Sequence, residues 1–426
     1  MLKTLSYDVV VIGGGPGGLA AAIAARERGA ERVCIIERAE ELGGILQQCI
    51  HNGFGLEVLG TDLPGPAYAQ HFINQVYQAG VQALLDTMVL EVTPQRVLYA
   101  TNARDGILEI KAGAVVFSMG CRERTRGALA IPGTRPAGVY TAGTAQRLVN
   151  IEGYMPGRRF VILGSGDIGM IMARRLTLEG AQVERVLEIM PYLSGLKRNY
   201  VQCLQDFGIP LQLSHTVREI KGNKRVEAVV AVAVDERWQP IPGSEEVIPC
   251  DTLLLSVGLI PENELSRRLG IAMDPVTGGP IVDEGMGTSL PGFFAAGNVV
   301  HVYDLVDWVT MAGEVAGRSA AAYALGMAPA SVYRLRVVAG DNVRYVVPHL
   351  FHPESLAQGP QQLQLRVREP IEEKVQVILE ADGVEIWRKT ERYVRPGEMV
   401  TVKLMPDLYD RLQPASTLTV NVRKPR

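Results

Sequence analysis

Tyr7-Asp-Val-Val-Val-Ile-Gly13-Gly-Gly15-Pro-Gly-Gly18 joins a short β-branched apolar run to a cluster of glycines. The run predicts a buried strand over residues 7–12, and the Ala-rich stretch over 19–28 predicts the helix that follows it. In such a turn Gly13 permits the sharp reversal, Gly15 lets backbone approach a pyrophosphate, and Gly18 lets helix and strand pack closely. The phosphates would then sit at a helix N-terminus, where unpaired N–H groups and the helix dipole favour anions. A second strand is predicted over 32–37. It ends at Glu37, 19 residues after Gly18, where a carboxylate can accept from the ribose hydroxyls of an adenosine.

One such glycine turn is weak evidence, but the chain repeats the device. Arg159-Phe-Val-Ile-Leu163 leads into Gly164-Ser-Gly166-Asp-Ile-Gly169, a helix is predicted over 170–179 and a strand over 183–188, and Glu188 again lies 19 residues after the last glycine. Two copies, each between strand and helix and each with its acid, imply two dinucleotides. An acid at Glu188 would repel a 2′-phosphate and favours NAD(H) over NADP(H), with Arg185, Lys197 and Arg198 close enough in sequence to offset part of that repulsion. The strands ending Phe117-Ser118-Met-Gly120 and Ser256-Val-Gly258 read as crossovers between two sheets.

Length and composition bound the alternatives. A chain of 426 residues at roughly 150 residues per domain holds about three domains. The net charge of −3, from 43 basic and 46 acidic residues well mixed along the chain, leaves no basic stripe for nucleic acid. Five scattered cysteines without a leader-like segment fit a reducing, cytoplasmic setting. No apolar run approaches the ~18 residues of a membrane span. From about residue 331 onward, Val-rich runs separated by turn signals predict an all-β, sandwich-like region, with 328–330 as its linker. His349 and His352 lack the further ligand-spaced partners of a metal site, and none is expected.

Taken together, the two glycine motifs with Glu37 and Glu188, the two crossovers, and Thr288-Ser-Leu-Pro-Gly-Phe-Phe-Ala-Ala-Gly297-Asn298 resemble the two-dinucleotide-binding flavoprotein superfamily, of the pyridine nucleotide-disulfide oxidoreductase type. The resemblance covers about residues 1–327. It implies an α/β fold of two Rossmann-like domains: an FAD domain over 1–120 and 253–327 with an NAD(H) domain inserted at 121–252, followed by the β region at 331–426. It also implies that Gly13, Gly15, Gly18, Glu37, Gly43, Gly44, Ser118, Gly120, Gly297 and Asn298 face FAD, and that Gly164, Gly166, Gly169, Glu188 and Gly258 face the nicotinamide nucleotide. Asn298 stands where the superfamily usually has an aspartate, keeping hydrogen-bonding capacity but losing charge. The helix after it would aim its positive end at the flavin.

The redox disulfide of this superfamily has no counterpart in the sequence. Five positions before Cys49 stands Gly44, and Gly138-Val-Tyr-Thr141-Ala-Gly-Thr144 contains no cysteine. Cys49 is then a lone redox thiol assisted by His51, a packing residue beside the flavin, or a contact to substrate or acceptor. His301 is either a substrate or flavin contact or a structural histidine. The stretches Gln48-Cys49-Ile-His51-Asn-Gly-Phe-Gly55, Gly120-Cys-Arg-Glu-Arg124 and 136–146 are similar to FAD/NAD-binding subunits of amine, opine and proline dehydrogenase complexes, and to the flavoprotein found with glycerol-3-phosphate dehydrogenase. That similarity implies a second flavoprotein as partner. A homo-oligomer is compatible with it, and the cysteines are too scattered for an iron-sulfur centre within this chain. Three functions follow as expectations: an NADH-linked flavin oxidoreductase, an NADH oxidase or peroxide reductase using Cys49, and a non-catalytic FAD-containing assembly subunit.

Overall fold

The computed structural model describes residues 3–327 and 334–425 and divides the chain into two compact units, residues 122–260 and the remainder. The larger unit is built on a mostly parallel sheet. Its strand order is Gln82–Leu84, Val33–Ile36, Lys3–Ile12, Gly106–Phe117, Val97–Asn102 and Met88–Val92, with Phe293–Ala295 also paired to Gly106–Phe117. Ile12 lies opposite both Ile36 and Phe117, so three strands end together at one edge. That common carboxyl edge is where an α/β sheet binds its ligand.

One face of this sheet is covered by helices Pro16–Glu27, Gly65–Gln78 and Val306–Ala324. The first and last cross through small residues. A Cβ on Gly313 would stand 2.2 Å from the Gly17 carbonyl oxygen, and one on Gly317 would stand 2.0 Å from that of Ala21. Glycine is therefore required at the crossing by contact rather than by backbone angle. The long helix begins at Val306 and carries Asp307 and Trp308 within the otherwise apolar pattern of its first turn.

The smaller unit carries a five-stranded parallel sheet in the order Val139–Thr141, Thr252–Leu255, Arg159–Leu163, Gln182–Leu187 and Leu211–Gln212. A three-stranded antiparallel layer, His215–Lys221, Ala228–Ala233 and Glu246–Pro249, encloses a second core with it. The expected boundary at 252/253 is corrected here. Thr252–Leu255 pairs with both Val139–Thr141 and Arg159–Leu163, so the chain leaves this unit only after Ile260.

The C-terminal region is the expected sandwich. A five-stranded sheet, running Leu350–Phe351, Leu335–Ala339, Thr417–Arg423, Val375–Ala381 and Val384–Glu391, faces a three-stranded one of Val343–Val347, Gln361–Val367 and Val400–Leu404 across a shared apolar core. The sandwich has a core of its own and lies within the larger of the two compact units. Tyr345 and Val347 project from the three-stranded sheet into the same core as Val10, Ile12, Leu98 and Phe117. The predicted linker at 328–330 lies outside the described residues.

Candidate functional site

The first glycine turn is held from within. Gly13 has φ +104°, and a Cβ on it would meet the Ser118 carbonyl oxygen at 2.4 Å, so no other residue fits. Gly18 is equally constrained, its Cβ position lying 1.9 Å from the Gly13 carbonyl. At Gly15, the residue before the helix, nothing lies within 4 Å of a Cβ. Open space at an uncapped helix N-terminus suits a phosphate group. Gly43 donates to the Gly14 carbonyl at 2.8 Å, and Gly44 (φ +56°) brings its own Cβ position to 3.0 Å from Gly15 Cα. These two glycines thus form a lip over the turn, and Ser118 closes the other side with its amide on the Ile12 carbonyl at 2.8 Å. Beyond it Gly120 (φ +72°) carries the chain away from the sheet.

Glu37 is buried beneath this turn. Its Oε2 accepts from the Gly14 amide at 2.6 Å and its Oε1 from the Ala39 amide at 2.9 Å. A carboxylate oxygen accepts more than one hydrogen bond, so capacity remains for ribose hydroxyls. The second turn repeats the arrangement. Glu188 Oε2 accepts from the Ser165 amide at 2.9 Å and hydroxyl at 2.7 Å, and Oε1 accepts from the Met190 amide at 2.9 Å. Gly164 (φ +101°) is pressed against Ser256 as Gly13 is against Ser118, and Ser256 Oγ accepts from the Gly169 amide at 3.0 Å. Gly166 precedes the helix Asp167–Leu178, and the Gly258 carbonyl (φ +96°) accepts from the Arg124 amide at 3.1 Å. Arg185, a cation that could serve a 2′-phosphate, donates instead to Gln212 and Glu246. Lys197 and Arg198 are exposed.

In the larger unit, Val309 of the long helix joins the two motifs expected to face the flavin, touching the Cβ positions of both Gly17 and Gly297. Asn298 uses its carbonyl oxygen on the Tyr303 amide at 3.1 Å and directs its amide toward Cys121 Sγ at 3.6 Å. The expected positive end of the long helix is offset by its own buried carboxylate. Asp307 accepts from the Gly55 amide at 3.1 Å and the Val58 amide at 2.9 Å. With Trp308 donating to Glu57 at 2.8 Å, this pins the Cys49–Leu59 segment to the helix. Sequence reasoning does not single out Asp307. An acid in a first helical turn is a signal, but its partners lie about 250 positions away in sequence.

Cys49 donates to the Ile45 carbonyl at 3.3 Å, while His51 Nδ1 meets the Asn52 carbonyl at 2.8 Å and its ring packs on Phe54. Burial pushes the Cys49 thiol up to about 12, away from the thiolate a redox cysteine needs. All five cysteines are free thiols. His301 is turned into the protein, 1 % exposed, against Tyr303 and Tyr345 with ring centroids 4.0 and 5.8 Å away. Burial lowers its pKa to about 3, with the Arg366 charge acting in the same direction and Gln364 opposing. His349 and His352 pair with Asp274 and Glu284.

Two glycine turns, each with a clamped acid beneath a helix N-terminus at the carboxyl edge of a parallel sheet, define a protein that binds two dinucleotides. The chain belongs to the pyridine nucleotide-disulphide oxidoreductase family, whose profile matches residues 7–315. That family consists of FAD-dependent oxidoreductases that use NAD(P)H. It is 26% identical over 338 residues to an opine oxidase subunit of Agrobacterium tumefaciens, covering 75% of this chain and 65% of that one. It is 26% identical over 289 residues to hydrogen cyanide synthase subunit HcnB of Pseudomonas protegens, covering 63% and 60%. It thus spans less than two thirds of the length of these relatives. The fold is that of thioredoxin reductase from T. acidophilum, with a TM-score of 0.61 at 23% identity over 75% of this chain and 99% of that one. No described helix is long and apolar enough to cross a membrane.

Proposed function

We propose that the chain links NADH to a partner flavoprotein or a small acceptor through FAD, and does not reduce disulfides. The observation that carries this reading is the matched pair of acid-clamped glycine turns, joined to cysteines that stand singly in the sequence. When bound, FAD supplies the hydride and electron chemistry. The protein's own part is to seat each pyrophosphate on a helix N-terminus, fix each ribose on Glu37 or Glu188, and hold the Cys49–Leu59 segment against the long helix. A dithiol relay needs two sulfurs in reach of each other, and neither superfamily register supplies the second one. The half-buried Cys49, its thiol pKa raised to about 12, weighs against the peroxide-reducing alternative.

A partner protein is supported by the relatives, two of which are named as subunits of an opine oxidase and a hydrogen cyanide synthase. The similarity to the flavoprotein accompanying glycerol-3-phosphate dehydrogenase supports a partner of that type or of the amine type, in the cytoplasm. NADH is preferred over NADPH because Glu188 is buried and Arg185 is committed elsewhere. Anaerobic titration tests the proposal: NADH should bleach the flavin band stoichiometrically, NADPH should do so less readily, and added thioredoxin or low-molecular-weight disulfides should not reoxidise it. A flavin that NADH leaves oxidised would instead support a structural, FAD-containing assembly role without NADH chemistry.

A further inference from the structure

In the smaller unit, beside the edge strand Val139–Thr141, lies a cavity of ≈ 370 Å³ whose walls include Thr125, Arg126, Arg135, Tyr140, Thr141 and Thr144. Its wall also includes Leu255, at the end of the strand that runs into Ser256 and Gly258, so it adjoins the second nucleotide turn on the side away from Glu188. The sheet order puts the edge strand three positions from the strand leading to Glu188, about 14 Å away at the usual strand spacing. No carboxylate lines the cavity.

Its two arginines are arranged for an anion. Arg126 uses Nε and Nη2 on the Ile131 carbonyl at 3.3 and 3.2 Å, and Nη2 also on the Gly133 carbonyl at 3.2 Å. These bonds fix the guanidinium plane and leave Nη1 uncommitted. Among the described residues neither arginine has an acidic partner. Both guanidinium groups line the same space, and burial, then the charge of Arg135, lower the pKa of Arg126. Like charges held together without a counter-charge are unfavourable unless a ligand supplies one. The hydroxyls of Thr141 and Thr144 lie 2.8 Å apart and can donate as well as accept. The nearby helix end is not the anion's seat, because both oxygens of Glu123 already accept from the Gly143 amide at 2.9 Å.

We propose that this cavity binds a small phosphomonoester, its phosphoryl group between Arg126 and Arg135 and its organic part against Tyr140, Pro136 and Val139. The volume is at the lower end for small-molecule pockets. A phosphomonoester carries a charge of about −1.5 to −2 at neutral pH, which balances the two guanidinium groups, and its three oxygens match the forked donors and the threonine hydroxyls. A monocarboxylate would leave one cation unbalanced.

Calorimetric titration of the FAD-loaded protein tests this, with NAD⁺ saturating so that the nucleotide turns are occupied. The probes are phenyl phosphate, inorganic phosphate and benzoate. One saturable equivalent of phenyl phosphate is expected, with benzoate at least tenfold weaker. Arg126→Met and Arg135→Met should each weaken phenyl phosphate at least tenfold, and Arg126→Lys should recover part of the loss. Arg237→Gln, exposed on the same unit, should bind as the parent does. Arg135 is exposed, so its substitution leaves the fold intact and keeps the test decisive. Absence of saturable binding to the parent, unchanged affinity in Arg135→Met, or equal affinity for benzoate would each overturn the proposal.

Discussion

Glu188 accepts three hydrogen bonds from its own turn, so its charge both shapes the loop and presents the remaining lone pairs to a ribose. In Glu188→Gln one of the two carboxylate positions becomes an NH₂ group facing a backbone N–H, which leaves buried donors unpaired at a cost of about 1–3 kcal/mol. The variant should melt lower, bind NADH at least tenfold more weakly, and discriminate less against NADPH. Fluorescence titration with both nucleotides reads this, and unchanged NADH affinity would remove the carboxylate from the site. Cys49→Ser should keep NADH-driven reduction of an artificial acceptor within about twofold, since a thiol with its pKa near 12 contributes no thiolate. A tenfold loss with the flavin still bound would reinstate the redox thiol. His301 titrates near 3 in the folded protein against an ordinary value of 6.5. The unfolded chain therefore binds the extra proton first, and stability falls as pH drops from about 6.5 toward 3. His352, raised chiefly by its hydrogen bond to Glu284, acts oppositely: its contribution is present at low pH and is lost as pH rises through its folded value. His301→Phe should flatten the acid limb of a denaturation series run between pH 4 and 7, and an unchanged slope would show that His301 does not set it.

At the scale of elements, the helix crossing of Pro16–Glu27 with Val306–Ala324 couples the first glycine turn to the Gly297 motif. Gly313→Ala would drive a methyl group toward the Gly17 carbonyl, 2.2 Å from the Cβ position, and both lie on backbone that cannot swing aside. Overpacking of this kind costs about 1–3 kcal/mol. It should also release FAD, because Gly17 belongs to the turn that we propose seats the pyrophosphate. Flavin absorbance relative to protein after gel filtration measures that loss. A destabilised variant with its full complement of flavin would mean that the crossing does not shape the site. Both glycine turns are legible in the sequence because their cause is local: a positive φ at Gly13 and Gly164, and an acid at fixed spacing. The role of Asp307 is not legible, because its partners are the Gly55 and Val58 amides, far away in sequence. The strand Thr252–Leu255 is recognisable as a strand, but which sheet it joins depends on pairing that no periodicity encodes.

Across the larger unit, the C-terminal sandwich is part of the flavin-binding body. Its strands can be read from turn signals, but the role of its three-stranded sheet cannot, since both faces are buried and alternation no longer marks an outside. One face carries Leu363, Leu365 and Val402 into the sandwich core. From this sheet Arg366 reaches the other side, where Nε donates to Tyr345 Oη at 3.0 Å, Nη2 donates to the Val302 carbonyl at 3.1 Å, and an ion pair forms with Asp304. Asp304 also accepts from the Met399 amide at 2.6 Å. The segment after Gly297-Asn298 is thus held by residues of the sandwich, and neither part presents a finished surface without the other. Trp308 and Trp387 report on the two parts separately, once Trp238 and the other of the pair are changed to Phe. Their fluorescence should be lost in a single coincident transition that also releases flavin. Arg366→Met leaves the Asp304 carboxylate without its buried cation, a change that costs about 3–5 kcal/mol, and should lower both tryptophan transitions together. If Trp387 melted apart from Trp308, or if only its transition moved in Arg366→Met, the sandwich would be an independent domain and the ion pair a surface attachment.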